Sequence, residues 1–171
     1  MRFSDFSLRE LYAALDAQRQ ARGLSWAQAA REITARTHVL APRPIGASTI
    51  TGTRTRRNAE GDGVLQMLRW LNRTPESFIP GVPEPREMST RLPAIPTDKV
   101  LRFDTRKLHA ALDAKRIEKK RTWVQAAAEM GLSAGMLTHL ANGGRTGFPH
   151  VMRMTRWLGR PAADFMRASD W

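Results

Sequence analysis

The sequence predicts an all-α protein built as two tandem five-helix units joined by a proline-rich linker. Three observations lead there: an internal repeat, the same helix-capping pattern in both copies, and a run of prolines between them. The repeat is the strongest of the three. Residues 6–33 and 103–130 are identical at 14 of 28 aligned positions, where unrelated sequence gives about two. Arg9/Arg106, Leu11/Leu108, Leu15/Leu112, Arg19/Arg116, Trp26/Trp123, Gln28/Gln125 and Glu32/Glu129 pair at an offset of 97. Further along the offset falls to 87, where residues 64–73 match 151–160 and Phe78 matches Phe165. The first copy therefore carries ten extra residues between Thr34 and Ala47. The expected layout is a first domain over 1–78, a linker over 79–102 and a second domain over 103–171. Each copy is close to the lower size limit for a free-standing helical core.

The second copy reads more cleanly. Asp104 or Thr105 caps a helix whose apolar stripe is Leu108, Ala111 and Leu112. Lys115, Arg116, Lys119 and Lys120 crowd its end, where cations favour the helix dipole. Thr122-Trp123-Val124-Gln125 is a capping box, and Ser25-Trp26-Ala27-Gln28 is its counterpart in copy one. The helix that follows is expected to bury Trp123, Ala126, Ala127 and Met130. Gly131 supplies a left-handed exit and Ser133 caps a third helix over 134–141, with Leu137 and Leu140 inward. Asn142-Gly143-Gly144-Arg145 ends it. A fourth helix turns Val151, Met154 and Leu158 inward and Trp157 partly so. Pro161 suits the first turn of a fifth, short helix ending near Phe165. No strand is expected. Gly61-Asp62-Gly63 lacks a phosphate-loop pattern and reads as a loop with Asp62 as a helix cap.

The linker holds Pro80, Pro83, Pro85, Pro93 and Pro96, a density that excludes helix interior and central strand. As a flexible coil it would span about 25–30 Å.

Composition narrows the function classes. The chain has 171 residues, 28 Lys+Arg against 16 Asp+Glu, and a formal charge of +12. That balance predicts an anionic partner, nucleic acid before an acidic membrane surface. Zero cysteines exclude thiol nucleophiles, disulfides and thiolate metal sites. The four histidines show no ligand spacing, and no serine or carboxylate pair sits in a catalytic pattern. Neither an enzyme nor a cofactor is expected. No apolar run reaches the ~18 residues of a membrane span, and residues 1–5 lack a signal-peptide core, so a cytoplasmic address is expected.

The order of capped helix, Gly131-Leu132-Ser133 turn, short helix with Leu137-Thr138, Asn142-Gly143, then Trp157-Leu158-Gly159, resembles the Cro/C1-type (XRE) helix-turn-helix family of bacterial and phage regulators. The resemblance covers nearly all of copy two and, with an interruption, copy one. It implies lambda-repressor-like domains that bind double-stranded DNA and control transcription, each placing a recognition helix in the major groove. Ala134, Gly135, Thr138 and His139 match the family's base-reading positions; Thr138 and His139 can hydrogen-bond, whereas Ala134 and Gly135 allow close approach only. Asn142 and Arg145 match phosphate-holding positions, and Thr122 and Gln125 sit at a helix N-terminus that also favours phosphate. In copy one the aligned base-reading positions are Ala47, Ser48, Thr51 and Gly52. Ser25, Gln28, Arg54, Arg56 and Arg57 are the phosphate candidates there.

Copy one departs from the pattern. Its extra residues interrupt the turn, and Thr53 stands where copy two has the inward Leu140. The insert reads either as a basic arm, with Arg36 and Arg43, entering an adjacent groove, or as a sign that copy one has become an interaction domain. The competing reading of the whole chain is a protein-interaction module, antitoxin-like or scaffold, and a homodimer or protein partner stays open. Residues 86–171 carry a net +8 against +4 for residues 1–85, so the cleaner copy lies in the more basic half.

Overall fold

The computed structural model describes residues 5–35, 45–81 and 91–170. The first repeat comprises α1 (Leu8–Ala21), α2 (Trp26–Ala35), α3 (Ala47–Gly52), α4 (Gly61–Leu71) and a 3-10 turn, Pro75–Phe78. The second begins with β1 (Val100–Phe103) and continues through α5 (Thr105–Glu118), α6 (Trp123–Met130), α7 (Ala134–Ala141) and α8 (Phe148–Leu158). It closes with a 3-10 turn, Ala162–Phe165, and β2 (Met166–Ser169).

The sequence repeat is also a repeat of contacts. In both copies an arginine on the first helix pairs with an aspartate three residues earlier, Arg19–Asp16 and Arg116–Asp113, each at 2.6 Å. The same guanidinium donates to the backbone carbonyl five residues on, at Leu24 or Arg121. It also lies over the matched indole, 4.8 Å from Trp26 and 4.9 Å from Trp123. The buried indoles of Trp70 and Trp157 donate to Glu32 and Glu129. Both capping boxes form, with Ser25 and Gln28 exchanging bonds as Thr122 and Gln125 do. Leu24 and Arg121 each follow a residue with positive φ, Gly23 in one copy and Lys120 in the other. The four tryptophans at matched repeat positions are therefore structural: Trp70 and Trp157 are buried, while Trp26 and the half-buried Trp123 are sandwiched between arginine and ring. Trp123 is less buried than its place in the apolar stripe suggested.

Two expectations of local structure are corrected. The chain is mostly helical, and among the described residues it contains one sheet, β1 paired antiparallel with β2 from Val100↔Ser169 to Phe103↔Met166. Val100 and Leu101, expected in the linker, are buried there. Strands of four residues are too short for alternation to register. Proline density excludes helix upstream but says nothing about the apolar residues that follow. The expected fifth helices are 3-10 turns, and Pro161 flanks its turn as the cap residue.

The two repeats also share one apolar core rather than hanging on a tether. Phe148 of α8 meets Phe6 of the first repeat with ring centroids 4.6 Å apart and Phe103 at 5.4 Å. Ile79 is buried in this core, and Leu92 and Ile95 pack against it. Matched side chains cross between repeats: Gln66 on α4 donates to the Leu101 carbonyl at 2.9 Å. At the equivalent position on α8, Arg153 grips Asp5 with two bonds of 2.8 and 2.7 Å. That pairing holds the Asp5 carboxyl below the usual range.

Glu76, in the first 3-10 turn, accepts from the Ala162 backbone N–H at 2.8 Å, stitching the two turns together. Its second oxygen is buried without a partner among the described residues. Burial pushes its carboxyl above the usual glutamate value, against the lowering effect of the Ala162 N–H. The folded state thus resists ionisation that the unfolded chain accepts. Stability from this group is greatest below the ordinary glutamate pKa of about 4.3 and falls as pH rises through the raised folded value. Glu76→Gln keeps the acceptor and removes the charge. It is expected to raise the urea midpoint at neutral pH, with the gain shrinking as pH falls through the raised folded value and gone below about pH 4. A lower midpoint at neutral pH would show that the carboxylate is held by something stronger than this one bond.

Candidate nucleic-acid interface

The helix-turn-helix of the second repeat follows from its local chemistry. Thr122 accepts from the Gln125 N–H and Gln125 returns a bond to the Thr122 N–H, so α6 starts at a fixed residue. Gly131 ends it at φ 68°, where a side chain would be strained. Ser133 then accepts from the Met136 N–H and opens α7. Leu137 and Leu140 are buried and fix the roll of α7, which leaves Gly135, Thr138 and His139 exposed. Ala134 is half-buried and packs against the core. Thr122, Gln125, Asn142 and Arg145 are exposed around this face. The His139 ring lies over Gly144, and a Cβ at Gly144 would collide with it.

The first repeat offers a looser counterpart. α2 ends at Ala35 and α3 begins at Ala47, so the two helices are not joined by a tight turn. The insert's far end is tied back, with the Ile45 N–H donating to the Thr34 hydroxyl at 3.1 Å. Arg36 and Arg43, the arm candidates, lie outside the described residues. In α3 the buried Ile50 sets the roll. Thr53 is buried too, and its hydroxyl is satisfied by the Ile50 carbonyl at 2.6 Å, which lets a polar residue stand where the second repeat has Leu140. Ser48 is exposed, while Ala47, Thr51 and Gly52 are half-buried. Ser25, Gln28, Arg54, Arg56 and Arg57 are all exposed. Arg56 folds over Gly52, and Arg54 reaches 5.9 Å from the Tyr12 ring.

Between α3 and α7 the two repeats meet by reciprocal pairing. The Gly61 N–H donates to the Thr146 carbonyl at 3.1 Å, and the Phe148 N–H donates to the Ala59 carbonyl at 2.8 Å. Residues 59, 60 and 61 are the repeat equivalents of 146, 147 and 148, so each bond is the image of the other. Glu60 and Gly147 face each other as an antiparallel bridge at the centre. This is the contact pattern of a two-fold dimer, here within one chain. Each paired segment follows α3 or α7 and leads into the next helix.

Three residues at this junction carry roles that were not legible beforehand. Asn58 fills the space a Cβ on Gly147 would need. Glu60 pairs with Arg145 at 3.1 Å, both side chains at least half exposed, so that arginine is held beside the junction. Asp62 is not a helix cap: Glu60 occupies the cap position of α4, and Asp62 instead accepts from the Phe103 N–H at 3.2 Å. Burial raises its carboxyl pKa despite that bond and the nearby Arg102.

Among the described residues no helix is long and apolar enough to cross a membrane. No family model, no curated protein and no solved structure matches the chain.

Proposed function

We propose that the chain is a sequence-specific double-stranded DNA-binding regulator that reads two unlike half-sites through α7 and α3. The observation that carries this reading is the reciprocal junction between two helix-turn-helix-like repeats. Such folds act as dimers whose two-fold related helices meet successive turns of the major groove about 34 Å apart, and a reciprocal junction within one chain supports the same use. Half-site spacing is then set by the packed junction, not by the length of the linker. The net charge of +12 supplies the attraction to phosphate. Unlike residues on α7 and α3 imply an asymmetric site. Gly135, Thr138 and His139 read bases on one side, with Ser48 and Thr51 on the other.

A second reading, a protein partner for the same face, is favoured by Val124 and Met136, large apolar side chains exposed at 68% and 37% on α6 and α7.

The deciding experiment is selection of bound duplexes from a random pool with the full chain, followed by affinity measurements across salt. An asymmetric consensus is expected, with affinity falling by a slope of about −0.9 per neutralised phosphate. Thr138→Ala/His139→Ala should cost about 1–3 kcal/mol on the preferred duplex and flatten the preference in one half-site. Arg145→Gln should weaken all duplexes alike. A salt slope without any sequence ratio would reduce the function to non-specific DNA compaction. Unchanged preference in the Thr138/His139 variant, with loss of a protein partner, would install the second reading.

A further inference from the structure

We propose that the crevice between the two repeats binds a small molecule carrying a phosphate group and hydroxyls. The crevice has a volume of about 500 Å³, within the ~300–1,000 Å³ usual for small-ligand sites. It lies beside the reciprocal junction, and both repeats line it. Arg102, Arg106, Arg145 and Arg167 come from the second repeat, Glu60 and Asp62 from the first.

The arginines are incompletely used. The half-buried Arg102 approaches Asp62 only to 3.9 Å, well beyond the ~2.7–2.9 Å of a charge-assisted hydrogen bond. The Arg106 guanidinium lies beside Gly143, its Nε 3.1 Å from where a Cβ would stand. Neither Arg106 nor Arg167 makes an ion pair among the described residues. Several guanidinium forks lining one crevice, two of them on directly opposed strand positions, suit a phosphate, which can accept two bonds from a fork.

The two carboxylates of the first repeat, each beside a crevice arginine, select against a bare polyanion. Glu60 is already neutralised by Arg145, and Asp62 is desolvated and bonded to the Phe103 N–H. Each retains acceptor capacity that a ligand hydroxyl can fill. The ligand therefore has an anionic end for the arginines and a hydroxylated end for the acids. The segment 142–146 lines the crevice and follows α7 directly, but binding itself does not depend on any DNA reading.

The test is thermal unfolding of the full chain with glucose 6-phosphate, inorganic phosphate and glucose as probes, at ionic strength held constant with sodium chloride. A saturable rise in Tm is expected with glucose 6-phosphate, a weaker one with phosphate, and none with glucose. Arg106→Gln/Arg167→Gln should weaken the apparent affinity at least about tenfold. Both side chains are exposed, so the unliganded Tm should stay nearly unchanged. Arg9→Gln, an exposed arginine of α1 that does not line the crevice, should keep the response. The proposal is overturned if neither phosphate compound gives a saturable rise in the unaltered chain, or if the double variant keeps it. A second arm separates free ligand from DNA backbone as the phosphate source. The double variant should leave the salt slope of duplex binding unchanged. A slope lowered by about one per arginine, with no response to free phosphates, would overturn the proposal and assign the arginines to DNA.

Discussion

Phe148→Ala is expected to lower the unfolding free energy by about 3–5 kcal/mol, the range for deleting a fully buried phenyl. Phe148 has no exposed surface, and its ring touches Phe6 in one repeat and Phe103 in the other. Neither ring can collapse into the space, because Phe6 is also held edge-on by Phe78 at 5.9 Å and Phe103 sits on β1. The loss should be felt by both halves. Each repeat carries its own reporter, a buried indole bonded to a glutamate, at Trp70 and at Trp157. In the unaltered chain, the two indole N–H resonances followed by NMR through a urea titration should give coincident transitions. In Phe148→Ala both midpoints should fall together. A loss below about 1 kcal/mol, or a fall confined to Trp157, would mean that the shared core does not couple the repeats.

The same comparison shows which parts of the fold a single sequence can carry. α6 and α7 were legible because their signals are local. A Thr-x-x-Gln box, a glycine at a left-handed exit and leucines three apart each act within one turn of chain. The internal repeat doubled that signal and identified Trp26, Trp70, Trp123 and Trp157 as matched structural sites. The junction was not legible, because residues 59–61 and 146–148 are far apart in sequence and pair by backbone groups that every residue owns. Asp62 illustrates the cost. Its position beside a helix start fitted a cap, yet its partner is the Phe103 N–H, 41 residues away. The exposed side of α7 could be read from Leu137 and Leu140 alone. The equivalent side of α3 could not, since Thr53 looks polar and outward until its hydroxyl is seen bonded to the Ile50 carbonyl. The crevice arginines were invisible for the same reason as the junction. Arg102 and Arg167 meet only because β1 and β2 pair, with those two residues directly opposed.

Gly61→Ala is expected to be the most damaging small substitution at the junction, by about 1–3 kcal/mol, through overpacking rather than backbone strain. An added Cβ would stand 3.0 Å from the Phe103 ring and 3.2 Å from the Thr146 carbonyl oxygen. The carbonyl cannot move away, because it accepts the Gly61 N–H itself. The ring is confined by Phe148 and lies in the buried core. Repeat symmetry explains why glycine stands here. Position 61 is the equivalent of Phe148, and Phe6 is the equivalent of Phe103. Phe148 reaches across the pseudo-two-fold to Phe6, so the mirror contact, a large side chain at 61 against Phe103, would require a second ring in space already filled. One side of the junction is therefore large and the other bare, and the two copies cannot be interchanged. The cause can be isolated with a second substitution. Phe103→Leu removes the ring edge that a Cβ at 61 would meet, so Gly61→Ala should cost less in that background than in the unaltered chain, measured by urea midpoints in a double-mutant cycle. Equal cost in both backgrounds would place the damage at the Thr146 carbonyl alone, and no cost in either would mean that the two repeats can slide apart enough to admit a methyl group.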